Sequence, residues 1–296
     1  DFKYQYANVT SAGSWRTGGN LNTGRKDTVA GAGIQTAAIV FGGSVPPYTA
    51  KTETYDGTTF TEVNDMTLAR GGLAGAGTQT SALGFGGEPV TGDTELWNGT
   101  NWTEVNALNT ARKIMGAAGE DNEGILAFGG YTSTQVAVTE NWNGTNWTEV
   151  NDLNTARWGL SGSGKLSTAA LAFGGNTSPG TNVKTETEQW NGTNWTEVND
   201  LNTGRISLSG FGTYTSAIAS AGYVSSPTKL AVTELWNGTN WTETTDLSNA
   251  RYQAAAAGAD NTSGLVTGGE SQPGASLAAT EEWTGAGAAV GAWSTG

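Results

Sequence analysis

The chain has 296 residues and a formal net charge of −13, from 27 acidic and 14 basic side chains, and it contains neither cysteine nor histidine. These counts exclude a disulfide framework and a thiolate metal site, remove the usual general base, metal ligand and physiological pH switch, and argue against a phosphate-binding surface for DNA or RNA. No stretch approaches the roughly 18 consecutive apolar residues of a membrane span, and Asp1-Phe2-Lys3-Tyr4 is not a basic and then apolar leader. Asp1 is not an initiator residue, as expected of a processed chain or a piece of a longer one.

The first recognisable element, Ser14-Trp15-Arg16-Thr17-Gly18, takes its meaning from a repeat that begins after it. In register on one tetrad, the chain reads Thr52-Glu53-Thr54-Tyr55, Thr94-Glu95-Leu96-Trp97, Thr139-Glu140-Asn141-Trp142, Thr187-Glu188-Gln189-Trp190, Thr233-Glu234-Leu235-Trp236 and Thr280-Glu281-Glu282-Trp283. The spacings are 42, 45, 48, 46 and 47 residues. Arginine recurs with the tetrad at Arg25, Arg70, Arg112, Arg157, Arg205 and Arg251, all but the last after a Leu-Asn-Thr-like or Met-Thr-Leu lead-in. A period of this length is the signature of a repeat architecture that adds one supersecondary unit at a time. Approximate units are 25–69, 70–111, 112–156, 157–204, 205–250 and 251–296, within one domain spanning 1–296.

Each unit divides into four short strands. After the arginine comes a small-residue strand, such as Ala74-Gly75-Ala76-Gly77 or Ser161-Gly162-Ser163-Gly164, suited to an innermost position where units crowd an axis. Next is an apolar run ending in paired glycines, as in Ala38-Ile39-Val40-Phe41-Gly42-Gly43 and Leu126-Ala127-Phe128-Gly129-Gly130. Apolar residues at consecutive positions predict a strand buried on both faces. The third strand carries the tetrad and leads into Trp97-Asn98-Gly99-Thr100-Asn101-Trp102, repeated at 142–147, 190–195 and 236–241. Asn-Gly between aromatic strands predicts a hairpin with a type I′ turn, in which both central residues have φ > 0. Its paired tryptophans are expected to pack between units, each adding roughly 1.5–3 kcal/mol of burial. Turn chemistry also accounts for asparagines such as Asn98 and Asn101 that form glycosylation sequons.

The expected fold is therefore all-β: a six-bladed β-propeller of four-stranded antiparallel blades. Paired glycines followed by an aromatic residue and then a tryptophan make the units similar to the kelch repeat over nearly the whole chain. Unit five departs at Ser220-Ala221-Gly222 and unit six at Thr267-Gly268-Gly269, so these two blades are expected to be looser. Unit one has Tyr55 and Phe60 in place of the two tryptophans. Ala292-Trp293-Ser294-Thr295-Gly296 repeats the element around Trp15, so seven fourth-strand signals compete for six blades. Trp293 is expected to complete blade six, with residues 1–20 over the junction or added as an extra strand. The reverse assignment, with segment 1–24 as the closure strand, stands beside it.

One glutamate and one arginine per unit, Glu53, Glu95, Glu140, Glu188, Glu234 and Glu281 with the six arginines, are expected to form an internal network rather than a ligand ring. Irregular residues then carry function. The loops joining strands two to three and four to one open on one face, and their aromatic, lysine and proline residues form the candidate binding surface: Tyr48, Lys51, Tyr131, Trp158, Pro179, Tyr223, Lys229 and Tyr252. The residue after each arginine varies as Lys26, Gly71, Lys113, Trp158, Ile206 and Tyr252.

Kelch propellers that act as copper-radical oxidases need histidine ligands and a crosslinked cysteine, both absent here, and sialidase-type propellers need an axial arginine cluster with a tyrosine nucleophile. No catalytic residue, metal or cofactor is expected. The units look like the kelch-type tracts of bacteriophage structural and bacterial surface proteins. That resemblance implies a non-catalytic binding or assembly module on a virion, as fibre or decoration, or on an extracellular surface, with a protein partner or a surface glycan. A lectin-like glycan binder and an intracellular protein-interaction propeller are the alternatives. Neither nucleic acid nor membrane insertion is expected.

Overall fold

The computed structural model describes residues 13–177, 182–225 and 228–285, and among them it is built wholly from strands. A first strand, β1 (Ser14–Thr17), precedes blade one, which comprises β2 (Ala30–Ile34), β3 (Ala37–Phe41), β4 (Thr52–Tyr55) and β5 (Phe60–Val63). Blade two holds β6 (Ala74–Thr78), β7 (Ser81–Phe85), β8 (Thr94–Trp97) and β9 (Trp102–Val105). Blade three holds β10 (Gly116–Ala118), β11 (Ile125–Phe128), β12 (Thr139–Trp142) and β13 (Trp147–Val150). Blade four holds β14 (Ser161–Leu166), β15 (Ala169–Phe173), β16 (Thr187–Trp190) and β17 (Trp195–Val198). Blade five runs β18 (Ser209–Gly212) and β19 (Ala217–Ser220), adds a small hairpin of β20 (Tyr223–Ser225) and β21 (Thr228–Lys229), and ends with β22 (Thr233–Trp236) and β23 (Trp241–Glu243). Blade six has β24 (Ala255–Asp260), β25 (Ser263–Thr267) and β26 (Thr280–Thr284). All six sheets are four-stranded antiparallel meanders, so the molecule is a six-bladed β-propeller, and blades five and six keep the same strand order as the rest.

The second strands are buried from their second residue on, as their apolar runs require. Between blades, the phenylalanine ending a second strand meets edge-on the tryptophan beginning the fourth strand of the next blade. Phe41–Trp102, Phe85–Trp147, Phe128–Trp195 and Phe173–Trp241 have centroids 4.7, 4.9, 4.9 and 5.0 Å apart. This geometry adds about 0.5–1.5 kcal/mol per pair beyond area burial. The same indole N–H donates back across the blade boundary to the tetrad threonine, from Trp102 to Thr52, Trp147 to Thr94, Trp195 to Thr139 and Trp241 to Thr187, at 3.0–3.1 Å.

Two sequence expectations are corrected. The fourth strand of blade six is β1, which pairs with β26 in the register Trp15↔Trp283 and Arg16↔Glu282. The spacing fits this pairing: a core residue follows each strand-four aromatic by six positions, at Leu21, Met66, Leu108, Leu153, Leu201 and Leu247, so Trp15 carries the same buried follower as the other five. Arg16 also supplies a cation to the buried Glu282 at 2.5 Å, which Ser294 lacks. Trp293 itself lies outside the described residues. The second correction concerns the hairpin turns. Trp97 pairs with Trp102 around a four-residue loop, and only the glycine takes positive φ, at 90° for Gly99. Asn98 stays out of that region because its Oδ1 accepts the amides of Thr100 and Asn101 at 3.0 and 2.9 Å, a side-chain cap that replaces the type I′ geometry.

Candidate binding face

The repeated arginines occupy the connections that lead from one blade into the first strand of the next, and each reaches the glutamate on the third strand of its own blade. The N–O distances are 2.9 Å for Arg25–Glu53, 3.0 Å for Arg70–Glu95, 2.8 Å for Arg157–Glu188, 2.5 Å for Arg205–Glu234 and 2.7 Å for Arg251–Glu281, and Arg112 pairs with Glu140 in the same way. All twelve side chains are buried. Burial pulls every one of these guanidinium pKa values down, the glutamates pull them back up, and arginine remains charged throughout. The glutamates also hold the lead-in segments: Glu53, Glu140, Glu188 and Glu234 accept both the amide and the side-chain Nδ2 of Asn22, Asn109, Asn154 and Asn202 at 2.7–2.9 Å.

Paired glycines complete the frame. Both take positive φ, for example 66° and 95° at Gly42 and Gly43. The second amide of each pair donates to the carbonyl of the next blade's arginine at 2.9–3.1 Å, a series that runs unbroken from Gly43→Arg70 to Gly269→Arg25. Backbone bridges Lys26↔Ser44, Gly71↔Glu88, Lys113↔Tyr131, Trp158↔Asn176, Ile206↔Tyr223 and Tyr252↔Glu270 then place the residue after each arginine beside the residue after each glycine pair. The two loop sets therefore share one face, and these twelve positions form a belt around its axis.

Side chains link the belt across blade boundaries by one rule: the residue after the glycine pair of one blade meets the residue after the arginine of the next. Tyr131 meets Trp158 with centroids 5.8 Å apart, and Tyr223 meets Tyr252 at 5.0 Å. Glu88 pairs with Lys113, whose ammonium lies 5.9 Å from the Tyr131 ring. Glu270 receives Lys26 and Lys229 at 2.7 Å each and the Tyr252 hydroxyl at 3.0 Å, while the Lys229 ammonium sits 4.8 Å from the Tyr252 ring. Burial alone would raise the Glu270 carboxyl, but the hydrogen bonds from Lys229, Lys26 and Tyr252 outweigh it and hold it below the ordinary carboxylate value. Burial and the negative charge of Glu270 push the Tyr252 phenol well up.

Of the residues expected from sequence, Tyr131 and Trp158 form one cluster and Tyr223, Lys229 and Tyr252 another. Tyr48 lies against Gly71, where an added Cβ would meet its ring at 2.8 Å, and is 38% exposed. Lys51 joins neither cluster, since its ammonium turns to Glu62 on β5 at 2.5 Å. Pro179 lies outside the described residues. Glu88, Glu270, Lys26 and Lys113, which lie on the same loops but are not among the eight candidates, join the belt as pairs of opposite charge. The opposite axial mouth has a larger cavity, about 270 Å³, but it is lined by glycines and hairpin ends around Glu120 and Lys165, without an aromatic ring. The belt face, with its convergent aromatic and charged groups, is the better recognition surface despite the smaller volume.

No protein-family model matches the chain, and no curated protein matches it in sequence. Among solved structures, the one described as "Structure of YjhT" is similar with a TM-score of 0.73 at 13% identity, covering 89% of this chain and 96% of that one. At that identity the likeness establishes the propeller fold alone.

Proposed function

We propose that this protein is a non-catalytic binding and assembly module, a component of a virion or an extracellular surface, that engages its partner through the belt face. One observation carries the reading: beneath the belt every blade repeats the same arginine and glutamate pair, and all but blade five the full glycine pair, whereas at the belt the side chains change from blade to blade. A rigid frame that presents varied aromatic and charged groups on one face is the arrangement used for recognition. The kelch-like character of the repeat, and its resemblance to phage and bacterial surface tracts, supports the virion or surface setting.

The test is photo-crosslinking from position 131 on intact particles or cell envelopes of the source. A discrete adduct that is lost in the Trp158→Ala protein supports the proposal, and an adduct indifferent to the belt, or none, counts against it. A second reading, binding of a surface glycan, is favoured by the Tyr131–Trp158 pair, because sugar rings stack on such aromatic faces and Trp158 Nε1 is a buried donor with no partner in the protein. Glycan-array binding abolished by Trp158→Ala would select it, and a blank array at high protein concentration would remove it.

A further inference from the structure

The belt encloses a second, tighter ring. The position two after the arginine takes left-handed backbone geometry in every blade, with φ of 64° at Asp27 of blade one and, in the other five, 63° at Gly72, 53° at Ile114, 66° at Gly159, 53° at Ser207 and 58° at Gln253. Each amide of those five donates to the carbonyl of the equivalent residue one blade back, from Gly72→Asp27 at 2.7 Å to Gln253→Ser207 at 3.0 Å. Blade one breaks the pattern. It reads Arg25-Lys26-Asp27-Thr28-Val29 where blade two reads Arg70-Gly71-Gly72-Leu73, one residue fewer before the core position. The extra residue leaves Asp27 and Thr28 both left-handed, at 64° and 50°, and the ring closes through Val29→Gln253 at 3.3 Å instead. A β-branched threonine in that region is strained, and such strain gathers at ligand sites.

A cavity of about 100 Å³ opens at this break, walled by Asp27, Thr28, Tyr48, Glu88, Lys113 and Gln253. Its polar groups are unbalanced. Thr28 Oγ1 and Gln253 Oε1 are buried oxygens without a hydrogen-bond partner. The Asp27 carboxylate has neither an ion pair nor a side-chain hydrogen bond, because the adjacent cations are committed elsewhere, Lys26 to Glu270 and Lys113 to Glu88. A carboxylate and an amide oxygen accept only, so the pocket presents acceptors and one uncompensated negative charge. The two buried oxygens lack a donor, and the partly exposed Asp27 carboxylate beside them favours one that brings positive charge. Among the described residues no cluster of three or more acidic ligands is present, which disfavours a multiply charged hard cation. The Tyr48 ring, kept as a neutral phenol by burial and by the charges of Glu88 and Asp27, supplies a face over which an ammonium group is attracted.

We propose that this pocket at the broken turn of the axial ring binds a primary ammonium group, from a free alkylamine or from a lysine side chain. The site shares Glu88 and Lys113 with the belt, but it does not depend on the partner assigned there. Amide NMR of the full chain, titrated with n-butylammonium chloride and with Nα-acetyl-lysine amide, tests it. Both amines are expected to move the signals of Asp27, Thr28, Gly72 and Gln253, and n-butanol is not. Asp27→Asn, whose side chain holds nothing else in place, weakens binding about tenfold or more. Gln253→Met, a second variant, also weakens it. Tighter binding of the lysine derivative points to a protein side chain and equal affinity to a free amine, and either result supports the site. Unmoved signals, butanol acting as well as the amine, or calcium ion alone moving these signals overturns it.

Discussion

The Trp15 indole donates to the Thr233 hydroxyl at 3.2 Å, joining residues 218 positions apart. It is the same bond that Trp102, Trp147, Trp195 and Trp241 make to the threonine one blade back, so blade six is fastened to blade five as blades two to five are to the blade before them, but by a strand from far along the chain. Trp15 also packs on Trp283 with centroids 5.2 Å apart and is only partly buried. Trp15→Ala is therefore expected to cost about 2 kcal/mol, below the range of a fully buried tryptophan. Urea unfolding checks this, and a change within experimental scatter would contradict the closure.

Arg157 lies wholly inside the protein against Glu188. Replacing it with leucine leaves a buried carboxylate unpaired and is expected to cost about 3–5 kcal/mol, whereas Arg157→Leu combined with Glu188→Gln should recover part of that loss. A single variant that melts within a degree or two of the parent would show that the pair does not hold blade four.

Blade five places alanine where the other blades have the first glycine of the pair, and Ala221 is held at φ 61°. An L-residue there is strained by roughly 1–2 kcal/mol, partly offset by the greater chain entropy of glycine in the unfolded state. Ala221→Gly is expected to stabilise the protein by about 0.5–1 kcal/mol, read as a higher denaturant midpoint at unchanged slope.

The Glu270 carboxyl sits below its ordinary value of 4.5 in the folded protein. A depressed carboxylate stabilises the fold above the unfolded-state pKa, and that contribution is lost as pH falls through the folded-state value. The melting temperature of the parent should exceed that of Glu270→Gln near neutral pH, and the gap should close as the pH drops below about 4. A gap that persists in acid would assign the effect to packing.

The propeller was legible because its causes are local and repeated: glycine pairs, the tetrad and the tryptophan hairpins each act within one blade or its neighbour. The closure is harder to read, because Trp15 and Trp293 carry the same local signal, and the partners that place Trp15, Glu282 for its neighbour Arg16 and Thr233 for its indole, are more than 200 positions away. At the candidate site the aromatic members stood out as irregular residues in a regular chain. Glu88 and Glu270 did not, since their partners Lys113 and Lys26 belong to the next blade, and the interblade rule that joins them emerges only once both loop sets are superposed on one face. Lys51 drew notice for its charge, yet the alternation of strand faces turns it to Glu62 instead.

Because β1 pairs only with β26 among the described strands, it cannot take its place in a sheet until blade six has been made. At ordinary synthesis rates the 266 positions that separate Ser14 from Thr280 take on the order of ten to fifty seconds to appear. Until β26 is made, the open ring leaves the outer face of blade five on one rim and the strand bearing Trp15 on the other, each lacking the partner that Trp283 and Thr233 provide in the closed molecule.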